Sequence, residues 1–131
     1  MNGDEVTTIL IRRLLEMGFI VHRHNAYSTS SIYLKLDFGL CCGIRISDHP
    51  GRKRYHYRFN VMKNYSGDKV VERDGLICLF FDFNELEEVL AAIQKEKQTK
   101  INKYGFDKYK FLMNKEKDEN KLFKRFREEK V

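Results

Sequence analysis

An acid, an imidazole and three cations crowd one short stretch, Asp48, His49, Arg52, Lys53 and Arg54, with a second imidazole at His56. These are the residue types of a metal-free phosphodiester-cutting site. There, one group takes a proton from the nucleophile while another protonates the leaving oxygen across the scissile phosphate. Metal-assisted cutting would need a cluster of carboxylates instead. The simpler chemistry is a turn: Asp48 is an Asx-type turn former, Pro50 and Gly51 bend the chain, and Arg52, Lys53 and Arg54 are left to meet an anion. His22 and His24 share a face of a short strand, but no third ligand stands at a recognised metal-site spacing, so neither a metal nor a cofactor is expected and an exposed histidine pair is the plainer reading. Asp37-Phe38-Gly39 spells the kinase metal-binding triplet without its companion motifs, in a place that needs a tight turn. A binding protein is expected, not an enzyme.

The elements that would position these residues are legible from periodicity. Across residues 31–61, Ile32, Leu34 and Leu36, then Leu40, Cys42, Ile44 and Ile46, then Tyr55, Tyr57, Phe59 and Val61 alternate with polar residues. A period of two through three segments predicts an antiparallel sheet with one buried face. Its other face would carry Tyr33, Lys35, Arg45, Arg54, His56, Arg58 and Asn60. Before the sheet, Asp4 is placed to cap a helix whose stripe is Val6, Ile9, Leu10, Leu14 and Met17, with Gly18 at its end. Residues 19–24 form a strand candidate. Beyond the sheet, residues 62–68 read as a turn, 69–73 as a strand, Asp74-Gly75 as a hairpin, and 76–83 as a central strand covered on both sides. Asn84 and Glu87 have the spacing of a capping box for a helix buried through Leu86, Val89, Leu90 and Ile93, with Lys95, Lys97 and Lys100 at its negative end.

The expected fold class is therefore α+β: one domain with an antiparallel sheet of four to six strands, an N-terminal helix and C-terminal helices. Residues 1–103 form the core and residues 104–131 a basic helical arm of the same domain. From Lys103 onward ten basic residues face six acidic ones, and Lys121, Lys124 and Arg125 lie where the arm would grip a partner or pair as a homodimer through the C-terminal helix. Over the whole chain of 131 residues, 25 Lys and Arg against 19 Asp and Glu leave a formal charge of +6, which favours nucleic acid, a nucleoprotein or an acidic surface as partner. Three cysteines, two of them adjacent at Cys41 and Cys42, make no framework of bridges, and on a strand that pair would point to opposite faces. A reducing, cytoplasmic setting follows, and with no apolar run near ~20 residues no membrane is expected.

The cations Arg45, Arg52, Lys53, Arg54, Arg58, Lys63, Lys69 and Arg73 are placed to neutralise phosphates, and Tyr27, Tyr33 and Tyr65 to stack on exposed bases. The order of elements is similar to the double-stranded-RNA-binding domain, but that family needs lysines at the start of its last helix, where this chain has Glu85, Glu87 and Glu88. Ser31-Ile32-Tyr33, then Ile44-Arg45-Ile46-Ser47-Asp48-His49 and an aromatic, basic strand, resemble small proteins encoded by phages and mobile elements of Gram-positive bacteria, some of which are anti-CRISPR inhibitors. The resemblance implies a non-enzymatic protein that blocks an RNA-guided nuclease complex by occupying a protein or nucleic-acid surface. The binding residues expected are Arg45, Arg52, Lys53, Arg54, Arg58, Lys121, Lys124 and Arg125; the alternatives are a sequence-tolerant DNA- or RNA-binding protein and, after it, a small metal-free nuclease built on His49 and His56.

Overall fold

The computed structural model describes residues 2–26, 30–62, 78–119 and 126–130. Helix α1, Gly3–Glu16, leads into strands β1 (Val21–Asn25), β2 (Ile32–Leu36), β3 (Cys42–Ser47), β4 (Arg58–Met62) and β5 (Cys78–Asp82). Two helices, α2 (Leu86–Tyr104) and α3 (Phe106–Glu119), follow, and β6 (Arg127–Glu129) closes the described chain. The strands make one six-stranded antiparallel sheet in the order β5-β4-β3-β2-β1-β6. The fold is α+β, with one helix before the first strand and two between β5 and β6. Among the described residues no helix is long and apolar enough to cross a membrane.

The alternation read from residues 32–46 builds the inner face. Ile32, Leu34, Leu36, Cys42, Ile44 and Ile46 are all buried, and Val21, Phe59 and Val61 extend that layer across β1 and β4. Val6, Leu10 and Leu14 of α1, with Val89, Leu90 and Ile93 of α2, pack in the same cluster. Each such side chain contributes roughly 1.5–3 kcal/mol by leaving water, so this layer supplies the main drive to fold.

Several local expectations are corrected. Asn2, not Asp4, caps α1, its Oδ1 accepting from the Glu5 N–H at 2.9 Å. Gly18 does end that helix. Its φ of +86° lets its own N–H and that of Phe19 turn back onto the carbonyls of Leu15 and Leu14. The capping box at Asn84 is not formed; α2 begins after Glu85, whose carboxylate accepts from the Asp82 N–H at 2.8 Å, while Glu87 pairs with Arg13 of α1 at 2.6 Å.

Tyr55 and Tyr57 leave the inner series because a 3-10 turn, Lys53–Tyr55, and a positive φ at Tyr57 intervene before β4. At the end of the sheet order, β5 turns Phe80 outward at 40% exposure, rather than being covered on both sides. The Cys41 and Cys42 sulfurs lie 3.9 Å apart and both are buried, because Cys41 sits in the bend before β3 and not on the strand. The expected elements at 63–77, the strand at 69–73 and the Asp74-Gly75 hairpin included, lie outside the described residues.

The corner between β2 and β3 is unusual. Asp37, Phe38 and Gly39 take positive φ in succession, 52°, 58° and 87°. Glycine adopts that region freely and aspartate tolerates it, whereas for a phenylalanine it is strained. The corner is held by a polar latch on Asp37, which is 1% exposed. Its N–H donates to the Ile20 carbonyl at 2.8 Å, its Oδ1 accepts from the Ile20 N–H at 3.0 Å, and its Oδ2 accepts from the Tyr109 hydroxyl at 2.5 Å and faces Lys97 Nζ at 3.0 Å. Burial, then the Asp37 charge, pushes the Tyr109 phenol far up, so it remains a donor. Lys100 donates to the carbonyls of Leu40 and Cys41. Lys97 and Lys100 thus point inward, not to the dipole of α2.

Removing the carboxylate by Asp37→Ala strands Lys97 and Tyr109 without their acceptor and should cost about 3 kcal/mol in urea unfolding. Tyr109→Phe, which removes one donor only, should cost about 1 kcal/mol.

Candidate nucleic-acid interface

Two of the residues expected to bind, Arg45 and Arg58, lie on the outward face of the sheet, and three more, Arg52, Lys53 and Arg54, on the turn between β3 and β4. Strand register places His24, Tyr33, Arg45, Asn60 and Phe80 side by side across five strands. The neighbouring row is Glu128, His22, Lys35, Gly43 and Met62, and beyond the first row on its other side lie Ser47, Arg58 and Asp82.

Along these rows and the turn beside them runs a ladder of cations and rings. The Lys35 ammonium lies 5.1 Å from the Phe126 ring centre. The Arg45 guanidinium lies 5.7 Å from Tyr33 and 4.3 Å from Tyr55. Tyr55 meets Phe80 edge to face at 6.5 Å, and Arg54 stands 5.7 Å over Phe80. Cation over ring is an electrostatic attraction worth about 0.5–1 kcal/mol at exposed sites, and it leaves the positive charge uncancelled.

The expected cations divide into two groups. Arg58 is used internally: it pairs with Asp82 at 2.6 Å and donates to the carbonyls of His56 and Tyr57. Arg45 is half-buried between its two tyrosines and donates from Nε to Ser31 Oγ at 3.1 Å. Arg52, Lys53 and Arg54 are exposed on the turn, and among the described residues no carboxylate lies in ion-pair reach of them. That turn is fastened from below. The His49 N–H donates to the Tyr55 carbonyl at 2.7 Å, the Tyr55 N–H to the Arg52 carbonyl at 2.9 Å, and Asn60 Nδ2 to the Arg54 carbonyl at 3.2 Å. Tyr57, 48% exposed, lies tilted against His56 and meets Phe83 edge to face.

His49 contacts the Pro50 carbonyl through Nδ1, and the buried Nδ1 of His56 finds no hydrogen-bond partner among the described residues. No cluster of three or more His, Cys, Asp or Glu that could hold a metal occurs among the described residues. Cys41 offers no thiolate: the hydrogen bond with Cys42, then burial, pushes its thiol well up.

The C-terminal segment departs from the expected arm. Helix α2 runs through Tyr104, α3 ends at Glu119, and Arg127–Glu129 is a strand on the edge of β1. Lys121, Lys124 and Arg125 lie outside the described residues, as do Tyr27, Lys63, Tyr65, Lys69 and Arg73. Helix α3 buries Tyr109 and Leu112 against the corner and leaves Phe111 66% exposed. Tyr55, Phe80 and Phe126 were not expected on the outward face. Tyr55 continues an alternating pattern that the 3-10 turn breaks, and Phe80 lies in a run too apolar to show a side. None of the known protein families, curated proteins or solved structures compared with this chain matches it.

His22, expected to be exposed, is 7% exposed, stacked 5.0 Å from Phe38 and 3.9 Å from Glu128. Burial lowers its pKa below the ordinary imidazole value, with Glu128 opposing. A depressed folded-state pKa means the unfolded chain takes up the proton first as pH falls. Stability from this group is therefore complete above about pH 6.5 and lost below it. Urea unfolding at successive pH values should show a decline below that point which His22→Gln removes. A second outcome concerns Arg45: Arg45→Met should cost about 1–2 kcal/mol in urea unfolding, as expected for a cation whose first task is internal.

Proposed function

We propose that this chain is a non-enzymatic binding protein whose outward sheet face docks on a nucleic-acid strand, naked or within a nucleoprotein complex. The observation that carries the reading is the turn at Arg52, Lys53 and Arg54: three exposed cations, without a carboxylate neighbour among the described residues, continuous with the rings of Tyr55 and Phe80. Cations meet phosphates and release their counterions, while rings accept bases whatever the sequence. Internal use of Arg45 and Arg58 narrows the phosphate-binding set to the turn. In the setting implied by the resemblance to phage and mobile-element proteins, the strand is the guide RNA or target DNA of an RNA-guided nuclease, and occupying it blocks the complex.

The test is the triple reversal Arg52→Glu, Lys53→Glu and Arg54→Glu, with binding to a single-stranded oligonucleotide measured over a range of salt. On single strands each phosphate neutralised contributes about 0.7 to the slope of log affinity against log salt, so the variant should lose about 2 from that slope together with most of its affinity. An unchanged slope would place the contact elsewhere. Capture of a nuclease complex without retention of any naked strand would make a protein surface the target instead.

A further inference from the structure

At one end of the ladder lies a small apolar cavity of about 180 Å³, lined among the described residues by Tyr33, Leu34, Lys35, Gly39, Gly43, Met62 and Phe126. Register explains why it is there: Gly43 stands on the outward face between Lys35 and Met62 and offers no side chain to fill the gap. Phe126, brought back to the sheet by β6, supplies a wall. Tyr33 supplies another, and the Arg45 guanidinium lies against the same tyrosine.

We propose that this cavity receives one unstacked nucleobase of a bound single strand. The inference rests on the nucleic-acid reading above and adds where a base goes. Three features choose this occupant over a purely apolar one. The lining is aromatic and aliphatic, as a planar base requires, and the space suits one base but not a pair. The lining includes an ammonium, Lys35, and the ladder leads from Tyr33 through Arg45 and Tyr55 to the exposed turn, so a molecule seated here has cations along its path. A flat apolar group joined to a negatively charged chain is what such a surface complements, and a nucleotide strand is that molecule. A base held within a duplex cannot enter without being pulled from its stack, so single strands are preferred.

The experiment titrates the full chain into a short fluorescein-labelled single strand of mixed sequence, into the same strand carrying abasic sites, and into its duplex. The abasic strand and the duplex should bind roughly 5- to 150-fold more weakly, the range expected when one base loses its stacking partner. Because these changes are made in the ligand, the result does not depend on a variant folding. Tyr33→Leu should weaken the intact strand by a similar factor and leave the abasic strand unaffected, and Tyr33→Phe should restore binding. Equal affinity for intact and abasic strands overturns the base-binding cavity while the phosphate-binding turn stands. Failure to bind any strand overturns the nucleic-acid reading itself, and this inference with it.

Discussion

One buried carboxylate, Asp37, joins parts of the chain that are far apart in sequence. It takes hydrogen bonds from Ile20 before β1 and from Tyr109 of α3, and it is the counter-ion of Lys97 in α2. A charge at this depth is tolerable only if its oxygens are occupied, and both are. The latch makes the order of assembly matter. The left-handed run at Asp37, Phe38 and Gly39 is strained in a free β2–β3 hairpin, and the groups that stabilise it arrive on α2 and α3. The strand pair that carries Tyr33, Lys35 and Arg45 is therefore held in register by the C-terminal helices, and the outward face cannot be considered apart from them.

The two faces of the sheet follow different physics. Inside, apolar burial against α1 and α2 settles the strand positions, and small changes of residue would be felt through packing. Outside, rings and cations alternate with small and polar residues, and the cations lie over the rings. Arg58 shows what happens when a carboxylate is within reach: the pair with Asp82 cancels the charge locally. Arg45 shows the other outcome, a cation fixed by rings and a hydroxyl with its charge intact. How much charge each cation of this face keeps thus depends on how it is held.

What could be read from the sequence was whatever local periodicity controls. Ile32, Leu34, Leu36, Ile44 and Ile46 declare a buried strand face because every second residue repeats the choice, and the stripe of α1 does so at helical spacing. What could not be read depends on partners distant in the chain. Glu87 has the spacing of a capping residue, yet Arg13 of α1 lies near and takes it as an ion pair. Lys97 and Lys100 look like the basic end of a helix, and only the corner at Asp37, Leu40 and Cys41 explains why they turn inward. Tyr55 keeps an alternating rhythm that a 3-10 turn has already broken. For the same reason the cations of the outward face were legible as a set, but their division into internal and exposed groups was not. That division required Ser31, Tyr55 and Asp82 to be placed.

The latch and the ladder are connected through β2. That strand ends in Asp37 and presents Tyr33 and Lys35 outward, while its inward residues Leu34 and Leu36 are fully enclosed. A strand fixed at its end by a buried polar latch and along its length by packing has little freedom to twist. The backbone beneath Tyr33 is therefore fixed, and the Arg45 guanidinium beside it on β3 lies over its ring. Ordering cost is then met during folding and not at the moment a ligand arrives, which is the condition for a shallow surface to bind at all. The turn at Arg52, Lys53 and Arg54 is different in kind. Backbone hydrogen bonds from His49 and Tyr55 and a side-chain hydrogen bond from Asn60 secure its base, while its cations project into solvent. Long cationic side chains on a fixed turn can follow an irregular line of phosphates, and rings on a fixed strand can hold a base, so the face combines an adaptable part with a rigid one.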